Sequence, residues 1–226
     1  MLLILDKNDK IIKMETNMKL VLSGFAGVGK SSIVTLTQKL HPQVFICPES
    51  AREVNYTKLF YEIRNDKNNE FFQKSVMDNE IMKIMITHIN KIPNVLYDRC
   101  IIDNFAFAEI FYGHDRVDFN EFKNFISEFR ERFEVDSLYD YIFFIRATEN
   151  EDFIAKNILN DPFRKETTSH NVKEFIKKSK EWEKIYFDIY NRIEGVANTI
   201  KTVNHFADNP KYDSEVNDLL DFAFKK

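Results

Sequence analysis

Short apolar runs alternate with longer stretches of helical periodicity along most of the chain. The runs typical of buried strands lie at 20–22, 44–46, 95–97, 141–145 and 199–203. Apolar positions spaced three to four residues apart predict helices at 30–40, 50–65, 69–91, 103–112, 119–133, 149–159, 169–193 and 213–224. Strands separated by helices indicate βαβ units with right-handed crossovers. We therefore predict an α/β fold of three layers, with about five parallel strands flanked by helices.

The first 17 residues differ from the rest of the chain. Two apolar runs, at 2–5 and 11–14, flank a polar segment, which is the pattern of a small β-hairpin. We divide the chain into an N-terminal extension at 1–17, to which we assign no chemistry, and a single domain at 18–226.

Composition narrows the class of protein. With 226 residues, of which 44% are hydrophobic, the chain can bury one core. A net charge of −4 argues against a long nucleic acid as partner, because many phosphates would need neutralising. No apolar stretch approaches the ~20 residues that span a bilayer, and residues 1–17 lack the features of a signal peptide. We expect a cytoplasmic protein in which Cys47 and Cys100 are buried and reduced.

The strongest motif follows the first strand of the domain. Its sequence is G-x-x-x-x-G-K-S, formed by Gly24, Phe25, Ala26, Gly27, Val28, Gly29, Lys30 and Ser31, with Ser32 next. Such a loop presents backbone N–H groups and a helix N-terminus to phosphates. The lysine reaches the β- and γ-phosphates, and the serine hydroxyl binds Mg²⁺. We expect ATP with Mg²⁺ to bind here.

A chance match in an ordinary strand–turn–helix is the alternative. The chain has only five glycines, and three of them lie in this loop. This scarcity of glycine elsewhere favours phosphate binding.

Charged residues also follow the other predicted strands. Glu49 could accept the proton of an attacking hydroxyl, or could simply be stabilised by a helix dipole. Arg52 lies three residues further on, where it could bind an acceptor phosphate or pair with Glu49. Asp98 could hold Mg²⁺ or orient the acceptor, and Arg99 could help to shape the acceptor pocket. Their structural alternatives are a helix cap or an ion pair between these two neighbours.

Two further residues lie between or beyond these strands. Gln73 could read a base edge through its amide, or face solvent. Arg164 belongs to a polar segment that we interpret as a lid at about 159–168. There it could close over the β- and γ-phosphates, or be a solvated charge.

From about residue 18 to 203 the chain resembles the P-loop kinases related to ribosylnicotinamide kinase and the similar AAA-type ATPase/kinase domains. That family carries Glu-x-x-Arg after the second strand, Asp-Arg after the third and an Asp-Gly-x-Arg-like lid, which match Glu49 with Arg52, Asp98 with Arg99, and Arg164. A weaker similarity to deoxynucleoside kinases adds a Phe-x-x-Gln-like element near Gln73. The chain departs from these patterns in two ways, since the lid has Pro162 where glycine is typical and only one clear arginine.

The resemblance implies a kinase that moves the γ-phosphoryl group of ATP to a nucleoside-like or nucleotide acceptor. A nucleoside, ribosylnicotinamide included, is the favoured acceptor. The alternatives are a nucleotide-dependent switch that hydrolyses ATP or GTP, and a 5′-hydroxyl polynucleotide kinase. No Asn-Lys-x-Asp guanine-reading motif lies near a strand end, which argues against an ordinary GTPase.

Other conspicuous side chains fit structural roles. An apolar helix face is formed by Phe119, Phe122, Phe125, Ile126, Phe129 and Phe133. We expect this face to pack in the core, although it leaves open a homodimer contact. Trp182 and Tyr186 also fit core packing, and the lysines of the same helix fit a solvated face.

Overall fold

The fold is described from a computed structural model of the chain. The structure describes residues 3–5, 11–13, 17–50, 69–112, 119–146, 151–160, 172–204 and 210–224. The strands are β1 (Leu3–Leu5), β2 (Ile11–Lys13), β3 (Lys19–Gly24), β4 (Phe45–Cys47), β5 (Val95–Asp98), β6 (Tyr139–Arg146) and β7 (Ala197–Asn204). The helices are α1 (Lys30–Leu40), α2 (Asn69–Ile89), α3 (Ile101–Tyr112), α4 (Phe119–Phe133), α5 (Glu151–Asn160), α6 (Val172–Arg192) and α7 (Pro210–Phe224).

Five of the strands form one parallel sheet in the order β4-β5-β3-β6-β7. The predicted α/β fold is therefore confirmed. The central strand β3 pairs with β5 on one side and β6 on the other. Because the carboxyl ends of parallel strands share one edge of the sheet, the residues after β3, β4 and β5 are neighbours there.

The two short strands near the N-terminus form a separate pair. Leu3 lies opposite Lys13 and Leu5 opposite Ile11, in antiparallel register. The small hairpin predicted from the apolar runs is present.

The core is rich in aromatic side chains. Trp182 and Tyr186 are fully buried, and the Trp182 ring stacks on Phe144 with ring centroids 5.8 Å apart. In α4, Phe122 and Phe129 are buried and their neighbours on the same face pack against the core, as expected. These contacts account for much of the burial that stabilises the sheet.

Several other predictions can be compared with the structure. Both cysteines are buried thiols, as expected. In α6, Lys173, Lys177 and Lys184 are exposed, which confirms a solvated face. The predicted helix at 50–65 and the predicted lid lie outside the described residues, apart from Ser50 and the end of α5. Within the part of the chain that the structure describes, no helix is both long and apolar enough to cross a membrane.

Candidate active site

The glycine-rich loop joins the end of β3 to the start of α1, which is the context its motif requires. A Cβ atom on Gly24 would lie 2.5 Å from the carbonyl oxygen of Ile145, so only glycine fits where the central strand ends. The side chains of Phe25, Ala26 and Val28 are buried. Phosphate contacts from these three residues would therefore come from their backbone.

Lys30 spans the loop from the first turn of α1. Its Nζ donates to the carbonyl oxygens of Gly24 at 2.8 Å and Phe25 at 2.9 Å. Burial and the nearby charge of Arg99 lower the pKa of Lys30 to about 7, while neighbouring carboxylates oppose both effects. The ammonium group is held at the place where the motif requires a phosphate-binding cation.

Ser31 and Ser32 follow at the N-terminus of α1, and both are exposed. Their hydroxyls lie beside the positive end of the helix dipole. This position is suited to groups that contact phosphate or a metal ion bound with it.

A buried arginine connects the two sides of the site. Arg99 donates from Nε to Glu49 Oε1 at 2.6 Å, and from Nη1 to the carbonyl oxygen of Gly24 at 2.8 Å. It also contacts Asp103 Oδ1 at 3.2 Å. Burial alone would lower the pKa of Arg99, but the surrounding carboxylates raise it above its usual value, so the guanidinium is charged. Arg99, directly after the end of β5, thus links Glu49, which lies beyond the end of β4, to the glycine-rich loop at Gly24.

The backbone of Arg99 has a φ of 81°, in the left-handed region that non-glycine residues rarely adopt. Its guanidinium lies 5.0 Å from the centre of the Phe107 ring. The hydrogen bonds of the side chain and this cation–π contact offset a strained backbone. Backbone strain of this kind often occurs at functional sites.

Asp103, which was not predicted from the sequence, lies beneath the site and connects β3 to the start of α3. It is fully buried and accepts hydrogen bonds from Ser23 Oγ at 2.9 Å and from the backbone N–H of Cys100 at 2.9 Å. The second contact caps the N-terminus of α3. Its position four residues after Arg99 was the available signal, because side chains at this spacing meet around a helix start.

The remaining candidates are placed as follows. Glu49 and Asp98 are buried at the ends of β4 and β5, on the same edge of the sheet as the loop. Arg52 and Arg164 lie outside the described residues, and so does the side chain of Gln73 within α2. The structure therefore brings Lys30, Glu49, Asp98 and Arg99 together and leaves the other three roles as predictions.

Helix α5 contacts the phosphate loop directly, which no sequence pattern indicated. Asn157 Nδ2 donates to the carbonyl oxygen of Gly27 at 2.8 Å. A Cβ on Gly27 would lie 3.2 Å from Ile158 Cγ1 and 3.4 Å from Ile154 Cγ2, so the backbone of the loop approaches the helix closely. The helix that leads into the predicted lid thus packs on the loop.

The five-stranded parallel sheet flanked by helices matches the P-loop fold of deoxynucleoside kinases. The chain is similar to the structure of deoxyadenosine kinase from M. mycoides with bound dATP, with a TM-score of 0.60 and 18% identity over 90% of this chain and 99% of that chain. For the same enzyme with the products dCMP and a flexible dCDP bound, the TM-score is 0.58 at 16% identity, over 91% and 98% of the two chains. At these identities the similarity shows the fold, and it does not single out the ribosylnicotinamide kinase-like family. No protein-family profile and no curated protein sequence matches the chain.

Proposed function

We propose that the protein is an ATP- and Mg²⁺-dependent kinase that phosphorylates a hydroxyl group of a nucleoside. One observation carries this proposal. Glu49 is held 2.6 Å from Arg99, and Arg99 contacts Gly24 of the phosphate loop. A carboxylate that can take a proton is thus positioned beside the loop that would bind the phosphoryl donor.

The donor side would be formed by the backbone of the loop, the α1 N-terminus and Lys30. Mg²⁺ prefers oxygen ligands and binds through few protein groups together with phosphates. The hydroxyl of Ser31 and the carboxylate of Asp98 fit this preference and would hold the ion. When bound, it would neutralise charge on the β- and γ-phosphates. Arg164 would complete the donor side by closing from the lid.

On the acceptor side, Glu49 would accept the proton of the nucleoside hydroxyl. The hydroxyl oxygen then forms a bond to the γ-phosphorus, the bond from that phosphorus to the β,γ-bridging oxygen breaks, and ADP leaves with the electron pair. Arg99 lies beside this path and would stabilise the negative charge of the moving phosphoryl group. Asp98 would orient the acceptor, and Gln73 and Arg52 would contact it from the neighbouring segments.

Charge balance supports a nucleoside over a nucleotide acceptor. Arg99 already forms ion pairs with Glu49 and Asp103, at 2.6 and 3.2 Å. An acceptor phosphate would meet these two carboxylates, whereas a neutral hydroxyl would meet no such repulsion. The similar structure is named as a deoxyadenosine kinase, which supports a nucleoside as the acceptor.

The test is a phosphorylation assay with ATP and Mg²⁺ and products resolved by mass. The acceptors are the four deoxynucleosides, the ribonucleosides including ribosylnicotinamide, nucleoside monophosphates and 5′-hydroxyl oligonucleotides. We expect nucleoside monophosphates as products, and their loss when Mg²⁺ is chelated. Conversion of ATP to ADP without any phosphorylated acceptor would instead indicate a nucleotide-hydrolysing switch. Labelled oligonucleotides alone would indicate a polynucleotide kinase.

A further inference from the structure

Two buried residues of α2, Lys83 and Glu80, hold the segment that carries Glu49. Lys83 donates from Nζ to the carbonyl oxygen of Pro48, and to Ser50 Oγ at 2.8 Å. Glu80 accepts hydrogen bonds from both the hydroxyl and the backbone N–H of Ser50. The residues immediately before and after Glu49 are therefore both tied to the same helix.

Burial makes this arrangement costly. Lys83 is 9% exposed and Glu80 only 1% exposed. Burial raises the pKa of Glu80 to about 7, although Lys83 and the hydrogen bonds from Ser50 oppose the shift. Well-packed apolar side chains often stabilise a core as well as buried ionisable side chains do. The pair therefore calls for an explanation other than stability alone.

We propose that Lys83 and Glu80 are positioning residues that fix the carboxylate of Glu49 for proton transfer. This inference rests on the proposed kinase function. The Glu49 side chain is fixed at its tip by Arg99, and the α2 pair fixes its backbone on both sides. With both ends held, the carboxylate has little freedom to leave the geometry that the reaction needs.

The roles of the two residues differ. The ammonium of Lys83 bridges the carbonyl oxygen of Pro48 and the hydroxyl of Ser50, so it sets the path of the backbone through Glu49. Glu80 accepts hydrogen bonds from the hydroxyl and the backbone N–H of Ser50, so it holds the residue that follows Glu49. Removing either residue would loosen the segment while leaving Glu49 itself in the chain.

The experiment is a double-mutant cycle on turnover. Lys83→Met and Ser50→Ala are each made in the natural sequence and in Glu49→Gln. In the natural sequence we expect Lys83→Met to lower kcat roughly tenfold to a hundredfold with the KM for ATP unchanged. Ser50→Ala, which removes only the hydroxyl, should give a smaller loss. In Glu49→Gln neither change should lower kcat much further, because groups that act through one residue are not additive.

Controls separate positioning from folding. Lys83→Arg, which keeps the charge and the donors, should recover part of the lost turnover. Lys184→Met removes an exposed lysine of α6 and should leave turnover unchanged. Equal losses in both backgrounds, or no loss from Ser50→Ala and Lys83→Met, would overturn the inference while leaving the kinase proposal standing. If Lys83→Met does not fold, the Ser50→Ala cycle decides. If the natural protein phosphorylates no acceptor, the proposed function itself fails.

Discussion

Arg99 Nε and Glu49 Oε1 are 2.6 Å apart, although 50 residues separate the two side chains in the sequence. The pairing of β4 with β5 brings them together, since each follows the carboxyl end of its strand. The phosphate loop follows β3, the other neighbour of β5. The Glu49 carboxylate and the glycine-rich loop at Gly24 are therefore both linked to one arginine.

The first prediction concerns the role of Glu49 as general base. Glu49→Gln keeps the size of the side chain but removes its ability to accept a proton. We expect kcat to fall by about 10²- to 10⁴-fold, with ATP affinity retained. Steady-state kinetics and ATP titration measure the two effects. Glu181→Gln, on the exposed face of α6, is the matched control. Intact turnover in Glu49→Gln would show that another group takes the proton.

The second prediction follows from the lowered pKa of Lys30, which is about 7, whereas the ordinary pKa of a lysine is 10.5. A bound triphosphate favours the charged ammonium, so above pH 7 ATP binding should take up as much as one proton, and ATP affinity should fall as pH rises. Calorimetry at about pH 8.5, in buffers of different ionisation heat, measures the uptake. We expect the uptake to disappear in Lys30→Met and to persist in Lys184→Met.

The lowered pKa of Lys30 also affects how the stability of the protein without nucleotide depends on pH. Between about 7 and 10.5 the unfolded chain binds more protons at Lys30 than the folded chain does. The contribution of this group to the free energy of unfolding should therefore increase as pH rises through that window. Urea unfolding of the natural protein and of Lys30→Met at several pH values isolates this contribution of Lys30. A slope of the opposite sign would contradict the assigned pKa.

Asp103 provides a prediction about stability. Asp103→Ala leaves the buried guanidinium of Arg99 with one carboxylate fewer and removes an acceptor from Ser23. We expect the free energy of unfolding to fall by about 3–5 kcal/mol, measured by urea denaturation. Asp188→Ala breaks the exposed pair with Arg192 and should cost no more than about 1 kcal/mol. Similar costs for the two variants would show that the buried network is not important for stability.

The hydrogen bond from Asn157 to the glycine-rich loop allows a test of whether α5 supports that loop. Asn157→Ala removes its hydrogen bond to the carbonyl oxygen of Gly27. A loss of about 1 kcal/mol corresponds to a roughly fivefold weaker affinity for ATP. Equilibrium titration with ATP measures the change, and Asn191→Ala on the exposed surface of α6 serves as control. An unchanged affinity would limit the contact to a packing role.

Much of the fold could be predicted because apolar periodicity and the loop motif agree with each other. The predicted limits of α1 and α4 coincide with the observed ones at both ends. The predicted limits of β6 were less accurate. The apolar run covers 141–145, whereas the strand begins at Tyr139 and ends at Arg146. Pairing with β7 extends the strand at both ends, where Tyr139 lies opposite Ala197 and Arg146 lies opposite Asn204.

The site was predictable only where a residue follows a strand. Glu49, Asp98 and Arg99 were found in this way, but their contacts were not, because the sequence does not show that β5 lies between β3 and β4. Lys83 and Glu80 were missed for a different reason. A lysine and a glutamate three residues apart on a helix are typical of a solvated surface, and only the fold shows that this pair is buried.

The only tryptophan of the chain lies against the phosphate loop. The indole of Trp182 meets the ring of Phe25 edge-on, with ring centroids 5.6 Å apart, and both side chains are shielded from water. A rearrangement of the loop backbone would move Phe25 and alter the surroundings of the indole. The protein thus contains its own optical reporter, whose emission can be followed as nucleotide is added, with no label and no background from a second tryptophan.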